Sequence, residues 1–280
     1  MLLKGLVTIK YGEKRIFIYK GKISTTMDDI SIIEYKEVDL SNSMLIVAFP
    51  TVGLISSIAG HFIIDSLKLD PIGTITSSQF MPATVIHKSI PSPPVRIYAG
   101  KKTCGPNDTC NTIAIIISEF MPSPEIIDSL VDKIFSWAKQ KGCKIIMSLE
   151  GMHAIGDETK KPSVFGIATT PDMRKVLEQF KIKKTQEGMI TGVTGVLLYK
   201  GVLTNRDVLC LLAETQTKYP DSRAAAALLE KVDKMLPAIK IDPKPLYNTA
   251  KKIEEKILQS LEQSKPTAPT LQPAPYSMYR

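Results

Sequence analysis

The sequence predicts an α/β fold in which a mostly parallel central sheet carries helices on both faces. Three observations support this reading. Short, continuously apolar runs alternate with amphipathic stretches of helical period, the pattern of strands buried on both faces between covering helices. Residues Leu2 to Glu37 instead alternate apolar and polar in short runs broken by Gly12, Gly21 and Asp28-Asp29, which predicts an antiparallel β appendage. Beyond Lys265, prolines 266, 269, 273 and 275 recur among Thr, Ala and Gln, a composition that packs no core. The expected organisation is an appendage over residues 1–43, one α/β domain over 44–265 and an extended tail over 266–280.

Met44 to Phe49 reads as the first buried strand, Pro50 to Gly53 as a turn, and Leu54 to Leu67 as a buried helix. Met44 to Ile64 lacks any Asp, Glu, Lys or Arg and is long enough to span a bilayer, but Pro50, Gly53 and Gly60 argue for strand, turn and helix instead. Val95 to Gly100 is extended and Ile113 to Ser118 is a strand, with the turn signal Gly105-Pro106-Asn107-Asp108 between them. Ser123-Pro124-Glu125 then opens a helix with an N-cap, a first-turn proline and a first-turn acid, and Gly142 stops it. Lys144 to Leu149 is the next strand. The same alternation returns at Val164 to Ala168 with a helix from Thr170 to Phe180, and at Val208 to Ala213 with a helix from Ser222 to Leu236. Between them, Gly188 to Leu198 signals a tightly packed helix start or a close backbone approach, and its class stays open. A last amphipathic helix is expected from Pro245 to Gln263, with Leu246, Ala250, Ile253, Ile257 and Leu261 as its stripe.

Composition limits the function. The chain has 280 residues, 36 Lys and Arg against 28 Asp and Glu, and 44% hydrophobic residues, which is globular. Its net charge of +8 is spread through Lys-rich helices without interleaved aromatics, so nucleic acid is not the expected partner. Met1 to Lys22 lacks the apolar core and cleavage site of a signal peptide, which predicts a cytoplasmic protein. Four cysteines show no zinc spacing. Cys143 and Cys210 read as core residues. Cys104 and Cys110 flank the predicted turn, where a cross-strand disulfide and two reduced thiols are both compatible with the spacing.

No complete phosphate loop, nucleophile elbow or HExxH motif is present, and no metal or cofactor is expected. The best enzymatic constellation is Glu119 and Glu150 at the ends of apolar strands, with His153 beyond. The competing reading gives those carboxylates helix-capping and turn-closing roles. His61 and His87 read as structural. At the other end of the chain, Tyr276-Ser277-Met278-Tyr279-Arg280 closes a proline-rich tether. It can present a thioether, a phenol and a free carboxylate to a distant pocket.

Several stretches together carry a resemblance: Ala48-Phe49-Pro50-Thr51-Val52-Gly53-Leu54-Ile55 with Ser57-Ile58-Ala59, then Pro93-Pro94-Val95-Arg96-Ile97-Tyr98 and Ile117-Ser118-Glu119. It continues in Gly192-Val193-Thr194-Gly195-Val196-Leu197-Leu198, Leu211-Leu212-Ala213-Glu214-Thr215, and Pro220-Asp221 with Ala224-Ala225-Ala226 and Leu228-Leu229. On these residues the chain resembles the proteasome assembly chaperone family, in particular its archaeal members. Thr51 departs from the pattern, which has a small residue, usually Gly, at that position. The resemblance implies a nucleoside-phosphorylase-like fold without catalytic residues, homo-oligomers, and the 20S proteasome α-subunits as partners. Met278-Tyr279-Arg280 is similar to the HbYX motif by which such proteins dock on the α-ring. That likeness gives Met278 the apolar contact, Tyr279 the aromatic hydroxyl, and the Arg280 carboxylate a salt bridge to a pocket lysine. The alternative is a phosphorylase-like or ATP-grasp-like small-molecule enzyme using the sheet edge around Glu119 and Glu150.

Overall fold

The computed structural model describes residues 6–11, 14–19, 30–104, 110–153, 162–215 and 220–236, together with the helical residues 256 and 259. The chain opens with an antiparallel hairpin of β1 (Leu6–Tyr11) and β2 (Lys14–Tyr19), as the alternating pattern predicts. β3 (Ser31–Glu34) does not stay with that appendage. It pairs antiparallel with β5 (Asp70–Thr76) as an edge strand of the main sheet. Between them lie β4 (Met44–Ala48), a short 3-10 turn at Val52–Leu54 and α1 (Ile55–Leu67). β6 (Val85–His87) and β7 (Ile90–Ser92) form a separate small hairpin. The long strands β8 (Val95–Cys104) and β9 (Cys110–Ser118) pair antiparallel, and α2 (Pro124–Gln140) follows. The rest is β10 (Ile145–His153), β11 (Val164–Ala168), α3 (Pro171–Gln179), β12 (Lys183–Lys184), α4 (Gly192–Leu203), β13 (Val208–Thr215) and α5 (Ser222–Met235).

Nine strands form one sheet in the order β12-β11-β13-β10-β4-β9-β8-β5-β3. Its centre, β13-β10-β4-β9, is parallel, and antiparallel pairings flank it on both sides. This is the expected α/β architecture, with antiparallel margins that the strand patterns alone did not distinguish. Every residue of β4 is buried, so the centre must be covered twice. One layer packs α1, α3 and α5 over Ile46, Ile115, Met147 and Leu211. The other packs α2 and α4 over Leu45, Val47, Ile116 and Ile146. The alternation of these residues between the two clusters is the period-two geometry of a strand.

Gly188 to Leu198 resolves into a loop and then α4, whose Val193 and Leu197 are buried against the second layer. Cys143 and Cys210 are buried free thiols, as their apolar settings predict. The backbone register of β8 and β9 sets Cys104 opposite Cys110, while their side chains lie outside the described residues. Of the expected Pro245 to Gln263 helix only 256 and 259 are described, both helical, and the tail of residues 266–280 lies outside. No helix among the described residues is long and apolar enough to cross a membrane.

Helix α5 is held at its start by Asp221, whose carboxylate accepts from the Arg223 and Ala224 amides, both at 3.0 Å, and from the Thr215 hydroxyl at 2.7 Å. Asp221→Ala removes the cap together with its 2.7 Å bond from the Thr215 hydroxyl. It should cost about 1–2 kcal/mol, read as a lower urea midpoint with an unchanged slope.

Candidate functional site

The parallel strands end together at one margin of the sheet, the place where open α/β folds carry ligands. At its centre the turn after β4 is a packing joint. The Thr51 hydroxyl oxygen lies 3.2 Å from the Ser56 hydroxyl and accepts the Gly151 amide of β10 at 3.1 Å. Ser56 in turn donates to the Phe49 carbonyl. Gly53 sits at φ 64°, a left-handed conformation suited to glycine, and its carbonyl accepts the Asp221 amide at 2.9 Å. A Cβ on Gly151 would lie 2.1 Å from the Val52 carbonyl oxygen, so turn and strand meet backbone to backbone. Thr51, the departure from the family pattern, thus has a local role: its hydroxyl satisfies an amide of the neighbouring strand.

Glu119 lies just beyond β9, on the face covered by α1. It is 8% exposed, accepts from the Arg96 guanidinium of β8, and lies 3.3 Å from His61 Nε2 of α1. Burial pushes its carboxyl up. The hydrogen bond and charge of His61 and the Arg96 guanidinium outweigh this and hold it below the usual carboxylate range. Sequence reasoning read His61 as structural without naming a partner, and did not single out Arg96 as the counter-ion. The only sequence signal was a basic residue in an apolar strand. His87 is exposed on the small β6–β7 hairpin, away from this cluster.

Glu150 occupies the opposite face. The Val52 carbonyl and Ile55 crowd Gly151 from the α1 side, so Ser148 and Glu150, three and one strand positions away, point toward α4. Buried Ser148 and Thr194 share a hydroxyl–hydroxyl hydrogen bond, and Thr194 also bonds the Glu150 carboxylate. Burial raises Glu150 to about 7, with Thr194 and the Gly151 amide opposing the shift. The expectation that Glu150-Gly151 closes a turn is corrected, since β10 runs through both residues to His153. Glu119 and Glu150 therefore do not converge: one answers to α1, the other to α4, with the sheet between them. His153 is exposed at the strand end. Among the described residues no group of three or more His, Cys, Asp or Glu could hold a metal ion. Met278, Tyr279 and Arg280 lie outside the described residues.

Against known proteins, the model of the PAC2 family matches residues 45–261. An uncharacterized protein of Methanocaldococcus jannaschii is 33% identical over 237 residues, covering 85% of this chain and 93% of that protein. The crystal structure of Pyrococcus furiosus PbaA, an archaeal homolog of proteasome-assembly chaperone, superposes with a TM-score of 0.73 at 31% identity, covering 84% of this chain and 97% of that one. Pyrococcus furiosus PbaB, an archaeal proteasome activator, shares the fold with a TM-score of 0.69 at 24% identity, over 84% of this chain and all of that one.

Two outcomes test the two carboxylates. Glu119→Ala leaves Arg96 buried without its counter-charge and should cost about 3–5 kcal/mol in chemical denaturation. Glu150 keeps its proton up to about 7, whereas the unfolded chain releases it near 4.5. The folded state binds the extra proton between those values, so its contribution to stability falls as pH rises through that window and is flat above it. The full difference is about 3 kcal/mol. Glu150→Gln should remove this decline and flatten the melting temperature between pH 5 and pH 8 by about 5–10 °C, and parallel curves for the two proteins would contradict it.

Proposed function

Because the chain belongs to the PAC2 family, we propose that it is a non-enzymatic, ATP-independent factor that binds the 20S proteasome core and serves its assembly or the opening of its gate. One observation carries this reading: the 31% identity to PbaA, the archaeal homolog of proteasome-assembly chaperone, across 84% of this chain.

The proposed contact is Met278-Tyr279-Arg280 at the end of the sequence. Met278 supplies an apolar anchor, Tyr279 an aromatic ring with a hydroxyl, and Arg280 a carboxylate for a lysine between neighbouring α-subunits. From Pro266 to Pro275 the tether, if extended at ~3.1 Å per residue, spans about 30 Å. A single three-residue anchor binds weakly, and a homo-oligomer presenting several tails to a ring of pockets gains effective concentration. The described residues support a non-catalytic reading. Glu119 is engaged by Arg96 and His61, Glu150 is engaged by Thr194, and the two lie on opposite faces of the sheet. The same reading carries a cytoplasmic location as part of the proposal.

The test is co-sedimentation with an archaeal 20S core. The full chain should bind, and a chain lacking residues 278–280 or carrying Tyr279→Ala should lose binding by at least about tenfold while keeping its oligomeric state. Peptide hydrolysis by the bound core then separates gate opening from assembly. Equal binding by both chains would remove the tail from the mechanism, and absence of binding by either would overturn the proposal.

A further inference from the structure

A cavity of about 320 Å³ lies between the end of α3, the start of β11 beside the carboxyl end of β13, and the exposed side of α5. Pro162, Val164 and Ala227 give it an apolar floor, with Val164 and Ala227 both buried. Lys181, Lys183, Lys231 and Lys234 give it a cationic rim, with Glu230 the one acidic lining residue among those described. Three backbone elements place the four lysines there. Lys181 follows α3 in the left-handed conformation at φ 50°, its amide bonded to the Glu178 carbonyl at 3.0 Å. Lys183 lies on β12, the two-residue strand at one end of the sheet. Lys231 and Lys234 are three residues apart on α5 and so share a helix face. Among the described residues none of the four has an ion-pair partner, whereas the adjacent Lys184 is held by Glu178 at 2.8 Å. The two residues before Pro162 in the sequence, Lys160 and Lys161, are cationic as well.

Four like charges around one small cavity repel one another and are relieved by an anion. Lysines are flexible point charges without the fork that selects phosphate or guanine, and among the described residues no aromatic side chain lines the cavity to stack a base. The volume suits one or two side chains rather than a folded surface. Beside the rim, β12 pairs only with β11 among the described residues, which leaves its outer edge for an added strand. The geometry points to this cleft as a docking site for an acidic peptide segment in extended conformation, its carboxylates on Lys181, Lys183, Lys231 and Lys234 and its backbone along β12. The four lysines lie outside the C-terminal tail in the sequence, and the docking site does not rest on the proteasome reading.

The test is fluorescence anisotropy of the full-length protein with a labelled hexaglutamate peptide at about 50 mM salt, where charge pairing is weakly screened. Lys183→Gln/Lys231→Gln/Lys234→Gln keeps the aliphatic stems and removes three charges. A control, Lys68→Gln/Lys133→Gln/Lys139→Gln, removes the same charge from exposed positions elsewhere, and circular dichroism and melting establish that both variants fold. Saturable binding that weakens about tenfold or more in the cleft variant and less than twofold in the control supports the site. Equal weakening in the two variants means that binding follows net charge, and no saturable binding by the native protein means that the cleft takes no acidic peptide. Either result overturns the proposal. So does stronger, cleft-dependent binding of an oligothymidylate than of the peptide, which would make this a nucleic-acid site.

Discussion

The fold is organised by the complete burial of β4. Five consecutive residues with no exposed face require a hydrogen-bonded strand on each side and a helical layer above and below. β9 and β10 supply the ladders, and the two clusters of Ile, Leu and Val supply the layers. A polar side chain in β4 would face hydrocarbon from either direction. The turn after it must then leave the sheet without disturbing β10. The left-handed Gly53 and the bare Cα of Gly151 provide the room, and Thr51 and Asp221 tie the exit to β10 and α5.

Polar groups at the carboxyl margin serve this architecture. Arg96 and Glu119 neutralise one another where β8 and β9 approach α1, and that pairing offsets part of the cost of removing each from water. Glu150 meets the same cost differently. It has no cation beside it, so it stays protonated up to about 7 and joins the buried hydroxyls of Ser148 and Thr194 under α4. Two carboxylates that look alike in sequence are thus one charged and one neutral near pH 6, because only one of them faces a base.

Much of this was legible from the chain. β4, α1, α2, β11, α3 and α5 announce themselves by apolar period and by caps such as Ser123-Pro124 and Thr170-Pro171. What escaped depends on contacts distant in sequence. β5 carries Pro71 and Gly73 across a register shift, which breaks its alternating pattern. Gly151 reads as a turn residue until the Val52 carbonyl is seen against it. Helix α4 is apolar nearly all round and rich in glycine, so neither period nor propensity identifies it. Its packing with α2, through Lys200 bonded to Asp128 and Asp132 at 2.8 and 2.6 Å, anchors it instead. The division of Glu119 and Glu150 between two faces required the end of β10, whose length the sequence understated.

The strand order also bears on how the protein is made. The nascent chain releases β4 and α1 early, with an uncharged stretch from Met44 to Ile64. The ladder partner of Met44 on one side is Ile113 and on the other Ile145, so neither exists until 69 and 101 further residues have been translated. At roughly 5–20 residues per second the first partner arrives about 3–14 s later. Through that interval this apolar stretch lacks both of its native ladder partners at the ribosome. A protein proposed to serve the assembly of others is thus itself a demanding client during synthesis.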